Sequence, residues 1–325
     1  MLESGVIERR LSELKSLVDS RLEELVSQRI ETDGEVAKLA SLVLNAGGKR
    51  LRPILILLSY EAAGGLNQDD AFPLSLAFEM IHTATLVHDD MNDNAELRRG
   101  EPTLHETAGS VKALIAGDWL FVQGFGLGGR YSERVVELMA DCCANIARAE
   151  FEQLELIMDL STTPEGYYSV IEGKTAGPFA AGCSAAAIVA GADESTVDAM
   201  YDFGMELGLA FQLVDDILDL SGDEQMGKKP GADVIEGKMT LPLIHSLTSL
   251  HGEKRSELER IIRNFNHDSA SKLIELLDES ESIEYVRRLV NNHLNRAREA
   301  LNVLPDGESK GILQELTMLT GHRTE

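Results

Sequence analysis

The chain has 325 residues and a formal net charge of −25, because 30 Lys and Arg stand against 55 Asp and Glu. Such an acidic protein repels phosphate backbones and anionic headgroups, so a general nucleic-acid binder and a basic lipid-binding surface are excluded. Charged residues near the N-terminus argue against a signal peptide, and no segment is apolar enough for a transmembrane span. We therefore expect a soluble, cytoplasmic protein.

The cysteines show no spacing typical of a zinc site or a disulfide framework. They are Cys142, Cys143 and Cys183, and the first two are neighbours in the sequence. We interpret them as core thiols of a protein from a reducing compartment.

Apolar residues recur at spacings of three and four along almost the whole chain, which is typical of amphipathic helices. The pattern predicts helices over 7–25, from Pro53 onward, and over 74–87, 108–127, 132–160 and 195–220, with four or five more within 242–319. Polar or glycine-rich stretches at 45–48, 94–105, 162–166 and 221–237 predict loops. No run alternates with the period of two of a half-buried strand, so we predict one all-α domain over residues 1–325.

Two acidic clusters end otherwise apolar helices. Each has the pattern DDxxD: Asp89, Asp90 and Asp93 form the first cluster, and Asp215, Asp216 and Asp219 form the second. Acids four residues apart share a helix face and repel, and the helix dipole disfavours them at this end. One such motif is equally consistent with a solvated acidic face, but two copies indicate a functional site. Gln212, Gly208 and Gly204 continue the aspartate face of the second helix, which predicts a wall beside a bound ligand.

Hard cations would stabilise these carboxylates, since Mg²⁺ binds carboxylates, waters and phosphate oxygens together. A di-iron site is excluded because the helices lack the Glu and Glu-x-x-His sets it needs. Cations flank the acidic clusters and nearby glycines: Lys49, Arg50, Arg52, Arg98, Arg99, Lys174, Lys228, Lys229 and Lys238. Each alone is an ordinary surface charge, but the combination with metal-binding carboxylates points to diphosphate substrates.

Six motifs, in this order, resemble the trans-isoprenyl diphosphate synthases and cover almost the whole chain. They are GGKRLRP at 47–53, HDDMNDNAELRRG at 88–100, GDWL at 117–120, GKTA at 173–176, FQLVDDILD at 211–219, and the loop over 227–242 that ends in GKMTLP. The resemblance implies a single-domain, all-α prenyltransferase bundle around a central cavity, usually as a homodimer. It implies head-to-tail condensation of isopentenyl diphosphate with an allylic diphosphate (dimethylallyl, geranyl, farnesyl or geranylgeranyl) into a linear all-trans product.

The same resemblance implies roles for individual residues. Mg²⁺, as three ions once substrate is bound, would be held by the six aspartates of the two clusters. Isopentenyl diphosphate would be bound by Lys49, Arg52, His82 and Arg99. The allylic diphosphate would be bound by Arg98, Lys174, Lys228 and Lys238, with Thr175 and Gln212 lining the path of the allylic cation. The released diphosphate can take up the proton, which agrees with the absence of any Ser/His/Asp or Cys/His set.

Product length in this family is set on the helix that carries the first acidic cluster. Bulky aromatics four or five residues before the first Asp stop growth at fifteen carbons, but here Thr85 and Ala84 are small. Ile81 and Phe78 are the candidates for a floor on the next turns, and the alternative is that they pack in the core. Counting about 5.4 Å per turn gives roughly four to seven isoprene units, centred on five or six. Phe151 stands where relatives commonly have Gly and is a further candidate to fill tunnel space.

Two rival functions remain at this point. A terpene cyclase or head-to-head synthase usually carries an Asn/Ser/Glu metal triad in place of the second DDxxD, which is intact here. A non-catalytic subunit of a heteromeric prenyl synthase typically loses acids or cations, whereas this chain keeps all six aspartates.

Overall fold

The computed structural model describes residues 4–98, 100–221 and 230–322, and these residues are predominantly helical, which confirms the all-α prediction. The α-helices, in chain order, are α1 (Ser4–Asp33), α2 (Glu35–Asn45), α3 (Leu51–Ala62), α4 (Phe72–Asn92), α5 (Leu104–Ala108), α6 (Ser110–Gly128), α7 (Glu133–Leu156), α8 (Pro164–Ile171), α9 (Gly177–Val189), α10 (Glu194–Ser221), α11 (Ala232–Ile235), α12 (Leu241–Ser249), α13 (Gly252–Arg263), α14 (Ala270–Glu279), α15 (Ser282–Ala300) and α16 (Glu308–Gly321).

Four short elements were not predicted from the sequence. The polar stretch after α4 contains two antiparallel two-residue strands, β1 (Leu97–Arg98) and β2 (Glu101–Pro102). The predicted loop after α10 contains the single turn α11. Between α8 and α9 the chain does not break; it continues as a π-helical segment over Glu172–Ala176. Such one-turn features depend on tertiary contacts, which hydrophobic periodicity does not report.

The Cα positions cluster into two compact units, each made of three separate stretches of sequence. The first unit comprises Met1–Met139, Gly182–Val197 and Leu304–Leu313, and the second comprises Ala140–Ala181, Asp198–Val303 and Gln314–Glu325. Each unit therefore holds one of the two acidic clusters. The single domain predicted over residues 1–325 stays a prediction.

Helix α4 forms the centre of the first unit. Pro73 lies in its first turn, where a missing backbone N–H costs nothing. The helix is buried on most sides, and α6 packs along it. The approach is close because Gly124 of α6 faces α4: a Cβ there would lie 2.8 Å from Ile81 Cγ1 and 3.0 Å from the Ala77 carbonyl oxygen.

Replacing Gly124 by Ala is expected to lower the free energy of unfolding by about 1–3 kcal/mol, because the added methyl group overpacks this contact. Gly126, also on α6, is the matched control, since a Cβ there meets nothing within 4 Å. Gly126→Ala is expected to raise stability by about 0.5–1 kcal/mol, because Ala has less freedom to lose on folding. Chemical denaturation measures both changes. A Gly124→Ala variant as stable as Gly126→Ala would contradict the close packing of α6 on α4.

Helix α10 carries the second acidic cluster, and most of the helix lies in the second unit. The predicted ligand wall at Gly204 and Gly208 is wrong, because both glycines touch protein. A Cβ at Gly208 would lie 2.5 Å from Ala176 Cα, and one at Gly204 would lie 2.5 Å from the Phe179 carbonyl oxygen. These glycines therefore let α10 pack closely against the chain over 176–180.

The prediction of core thiols is confirmed for two of the three cysteines. Cys142 and Cys183 are buried, Cys143 is half-buried, and all three are free thiols. Burial raises the pKa of Cys183 to about 12, so this thiol stays protonated. Across the described ranges, every helix is too short or too polar to cross a bilayer.

Candidate active site

The first acidic cluster lies at the C-terminal end of α4, where the three aspartates have different surroundings. Asp90 is only 5% exposed, and its Oδ1 accepts a hydrogen bond of 2.6 Å from Arg98 Nε. Burial raises the pKa of Asp90, and the Arg98 charge opposes that shift. Asp89 and Asp93 are half-exposed and lie one helical turn apart. The cluster therefore presents two accessible carboxylates beside a third that is paired with a predicted diphosphate ligand.

His88 explains the glycine of the GDWL motif. A Cβ at Gly117 would lie 2.2 Å from His88 Nε2, so the imidazole occupies the space that this glycine leaves on α6. His88 also lies against Phe121, with ring centroids 5.8 Å apart. The Trp119 indole N–H donates to Asp33 Oδ2 at 2.9 Å, which ties the same segment to the end of α1. The motif thus fixes the helix that supports the first cluster.

The predicted chain-length residues fall on different faces of α4. At 100° per residue, Thr85, His82 and Phe78 lie within about 40° of the Asp89 direction. Thr85 and His82 are half-buried, and Phe78 is buried. Two others point elsewhere: Ile81, about 80° away, packs over Gly124, and Ala84, about 140° away, is fully buried. Of the two floor candidates, Phe78 shares the face of the aspartates and Ile81 belongs to the contact with α6.

Three other cations predicted in the first unit lie just before α3 or in its first turn. Lys49 is exposed and Arg52 is half-exposed, while Arg50 between them is buried. Arg99 and Lys228, which the sequence also predicts as diphosphate ligands, lie outside the described residues.

The second acidic cluster lies near the end of α10, and its central acid is the most buried. Asp216 is 2% exposed, and both of its carboxylate oxygens accept hydrogen bonds: 2.8 Å from Gln212 Nε2 to Oδ1, and 2.5 Å from the Tyr167 hydroxyl to Oδ2. The Thr175 hydroxyl donates to Gln212 Oε1 at 2.8 Å, which fixes the orientation of that amide. The predicted pair Thr175 and Gln212 is therefore brought together and holds Asp216.

Asp219 is held in a different way, by the backbone of the following segment. The amides of Ala232 and Asp233 donate to its two oxygens, each at 3.1 Å. The carboxyl group of Asp233 lies close to the cluster. Burial and the charges of Asp216 and Asp219 raise the pKa of Asp233 to about 8, and burial raises the pKa of Asp216 to about 7. The second cluster therefore brings together carboxyl groups whose raised pKa values reflect burial and mutual repulsion.

Two predicted cations of the second unit make ion pairs within that unit. Lys174 Nζ lies 2.8 Å from Glu150 Oε1 and donates to Gln153 Oε1 at 2.8 Å. Lys174 lies in the π-helical segment, a feature often found at functional sites. Lys238 Nζ lies 2.5 Å from Glu236 Oε2. Burial raises the pKa of Asp219, and the Lys238 charge partly opposes that shift.

Tyr167 is the site residue that the sequence prediction missed. It is 5% exposed on α8, and burial raises its pKa well above the ordinary value, so the hydroxyl remains a proton donor to Asp216. A tyrosine 49 residues before its partner gives no local sequence signal. Phe151 is the opposite case: its side chain is 70% exposed on α7, so the expectation that it fills tunnel space is not supported.

The donor set suits a hard divalent cation. Carboxylate oxygens are the ligands that Mg²⁺ and Ca²⁺ prefer, and the raised pKa values mark a place where positive charge would be stabilising. Among residues 4–98, 100–221 and 230–322, no three acidic, His or Cys side chains converge into a ready-made metal site. Mg²⁺ commonly takes one or two protein carboxylates and completes its shell with waters and substrate phosphates.

Comparison with known proteins identifies the family. The polyprenyl synthetase family model matches residues 33–279. The chain belongs to the polyprenyl synthetase family. It is 36% identical over 319 residues to a short chain isoprenyl diphosphate synthase of Methanothermobacter thermautotrophicus, covering 96% of both chains. It is 32% identical over 321 residues to an octaprenyl diphosphate synthase of Haemophilus influenzae, covering 96% of this chain and 97% of the relative.

A solved polyprenyl synthase structure from Caulobacter crescentus CB15, complexed with calcium and isoprenyl diphosphate, matches with a TM-score of 0.90 and 34% identity over all of both chains. This polyprenyl synthetase is thus a prenyltransferase with the fold that its motifs predict. The proteins it resembles are prenyl diphosphate synthases named for products from short chain to decaprenyl, so similarity alone leaves the product length open.

Proposed function

We propose that this polyprenyl synthetase condenses isopentenyl diphosphate head-to-tail with an allylic diphosphate, using Mg²⁺, and releases a linear all-trans product of about five or six isoprene units. The observation that carries the proposal is the pair of DDxxD clusters. Each has a buried aspartate held by a specific partner, Asp90 by Arg98 and Asp216 by Tyr167 and Gln212. Such anchoring is typical of acids whose orientation matters for a ligand.

Metal binding is assigned to the aspartates of both clusters, with three Mg²⁺ ions when substrate is bound. The bound ions would neutralise charge on the departing diphosphate. The chain's own residues then orient the substrates. Lys49, Arg52, His82 and Arg99 hold isopentenyl diphosphate, and Arg98, Lys174, Lys228 and Lys238 hold the allylic diphosphate. Arg and Lys suit these roles because their N–H groups donate to phosphate oxygens.

The reaction requires no protein nucleophile. The C1–O bond of the allylic substrate breaks and its electron pair leaves with diphosphate. The double bond of isopentenyl diphosphate attacks C1, and a C2 proton of the isopentenyl unit passes to the released diphosphate. The hydrogen bond between Thr175 and Gln212 fixes the orientation of both side chains. Their oxygen atoms would then stabilise the positive charge that develops on the allylic carbon.

Phe78 is proposed as the floor of the product tunnel. It lies eleven residues before Asp89, which is about three turns or 16 Å along α4. Position 85, one turn from Asp89, carries a small threonine, so growth continues past fifteen carbons. Each further turn accommodates about one more isoprene unit, which places the stop at about five units.

We also propose that the protein forms a homodimer through α6. Five exposed apolar side chains lie on one side of this helix. They are Val111, Leu114, Ile115, Val122 and Phe125. An exposed apolar stripe of this length is typical of a protein–protein contact. Light scattering is expected to give twice the chain mass, and Val122→Glu is expected to shift it towards the monomer.

One assay tests the proposed activity against its rivals. Purified protein is incubated with Mg²⁺, farnesyl diphosphate and labelled isopentenyl diphosphate, and the products are separated after phosphatase treatment. Linear alcohols longer than fifteen carbons support the proposal. A cyclic hydrocarbon would identify a terpene cyclase. Activity that appears only when a second chain is added would identify a subunit of a heteromeric synthase.

Tyr167→Phe is expected to raise the Mg²⁺ concentration for half-maximal activity by about tenfold, because the variant loses only the hydroxyl that orients Asp216. Tyr168→Phe is the matched control, since the Tyr168 hydroxyl instead lies 3.3 Å from His293 Nε2. Mg²⁺ is titrated into each variant in two ways. One titration follows enzymatic activity, and the other follows the thermal unfolding temperature in the presence of inorganic diphosphate. Equal Mg²⁺ dependence in the two variants would rule out an orienting role for Tyr167.

A further inference from the structure

Three cations lie within four residues before and at the start of α3, and the structure gives one of them a different environment. Lys49 is exposed and Arg52 is half-exposed, as expected of residues that meet a substrate. Arg50 is 6% exposed. A guanidinium that water barely reaches is not available to a diphosphate. The three neighbouring cations therefore have two different roles: Lys49 and Arg52 are accessible to substrate, and Arg50 is structural.

Each of three nitrogen atoms of Arg50 meets an acceptor on a different helix. Nε donates to Asp19 Oδ1 of α1 at 2.7 Å, and Nη1 donates to Glu79 Oε1 of α4 at 2.8 Å. Nη2 donates to the carbonyl oxygen of Leu44 on α2. Since Arg50 itself caps the N-terminus of α3, one side chain links four helices of the first unit. Glu79 is buried as well, so this ion pair is weakly screened by solvent.

The backbone at this point needs such a link. Gly47 and Gly48 have φ values of 84° and 153°, which side-chain-bearing residues rarely adopt. Arg50 is also in the left-handed region, with φ 52° and ψ 35°. A non-glycine residue persists there only when its surroundings fix it. Two glycines make the loop locally permissive, and the three hydrogen bonds of the buried guanidinium hold the end of the loop at Arg50 in one conformation.

We propose that Arg50 is a positioning residue that holds Lys49 and Arg52 in the geometry required to bind isopentenyl diphosphate. The inference rests on the proposed function, because it takes those two residues as the isopentenyl diphosphate site. The Arg50 guanidinium acts through the loop backbone and does not touch substrate. Its loss is therefore expected to weaken the binding of one substrate selectively, since its hydrogen bonds go to Asp19, Glu79 and Leu44 and, within the described residues, to none of those assigned to the allylic diphosphate.

Two variants of the full-length enzyme test this role. Arg50→Lys keeps the charge and loses the three-way geometry. The triple variant Asp19→Asn, Arg50→Met, Glu79→Gln removes all three charges, so no buried charge is left unpaired and folding is preserved. Its local charge changes from −1 to 0, which by itself would strengthen diphosphate binding. Weaker binding by the triple variant is then attributable to lost positioning.

Both variants are expected to bind isopentenyl diphosphate about 10- to 100-fold more weakly in calorimetric titrations without primer. The KM for farnesyl diphosphate is expected to stay within about twofold of the wild type, since its ligands are untouched. Arg10→Gln is the matched control, because Arg10 of α1 forms another arginine–glutamate pair, with its Nη2 2.7 Å from Oε1 of Glu61 on α3. That variant is expected to bind both substrates normally.

The outcomes separate this inference from the function on which it rests. If Lys49→Ala leaves isopentenyl diphosphate binding unchanged, the substrate site is misassigned and the role of Arg50 is overturned with it. If Lys49→Ala weakens binding but the folded triple variant and Arg50→Lys bind normally, only the role of Arg50 is overturned. Equal weakening of both substrates would indicate general loosening of the unit and would also overturn it.

Discussion

Replacing Asp215 by Asn is expected to lower kcat for chain elongation by about 100- to 1,000-fold, the range typical of losing one electrostatic group at a transition state. Asp215 is the more accessible neighbour of Asp216, whose two oxygens are already held by Tyr167 and Gln212. Asn keeps the shape of the side chain and removes the charge that a metal ion requires. Incorporation of labelled isopentenyl diphosphate measures the effect.

Asp202→Asn is the control for this variant, because Asp202 is an exposed acid on the same helix. It is expected to retain wild-type activity, so that a loss at Asp215 is not a general consequence of changing the charge of α10. If Asp215→Asn kept more than about a tenth of wild-type kcat, the assignment of the second cluster to metal binding would be wrong.

Phe78→Ala is expected to lengthen the main product by one or more isoprene units. The change removes the buried aromatic ring on the Asp89 face of α4 and opens roughly one more turn of the helix to the growing chain. Chromatography of the dephosphorylated products measures the distribution directly.

Ile81→Ala provides the comparison, since Ile81 is equally buried but packs over Gly124. This variant is expected to lose about 2–5 kcal/mol of stability and to keep the wild-type product length. A product shift in Ile81→Ala and none in Phe78→Ala would reverse the assignment of the tunnel floor.

Much of the fold could be predicted because the helical period is strong. The segments over 108–127 and 195–220 correspond to α6 and α10 within three residues at each end. The acidic clusters were recognisable because repeated aspartates at the ends of apolar helices break local rules. Both signals are local in sequence, which is why one sequence sufficed.

The residues that support the site could not be predicted, because their partners are distant in the sequence. Tyr167 is 49 residues from Asp216, and Arg50 is 29 residues from Glu79. Arg50 also lies between Lys49 and Arg52, which are positively charged as well. The sequence alone therefore does not distinguish the buried cation from the two that solvent reaches. Gly204 and Gly208 were misinterpreted for a related reason: a missing side chain can face a ligand or another helix, and only the packing distinguishes the two.

The π-helical segment over Glu172–Ala176 has a consequence for how this chain tolerates length changes. In an ideal α-helix, residues eight apart differ by about 80° in direction, so the side chains of Tyr167 and Thr175 would not lie on the same face. The wider π turn takes up that difference, and both hydroxyls reach the Gln212–Asp216 pair. Deleting a single residue at 172 or 173 would leave these two side chains seven residues apart, which an ideal α-helix places within about 20° of each other, whereas inserting one would leave them nine apart and on opposite faces, about 180° apart. The segment is therefore expected to tolerate the loss of a residue better than the gain of one.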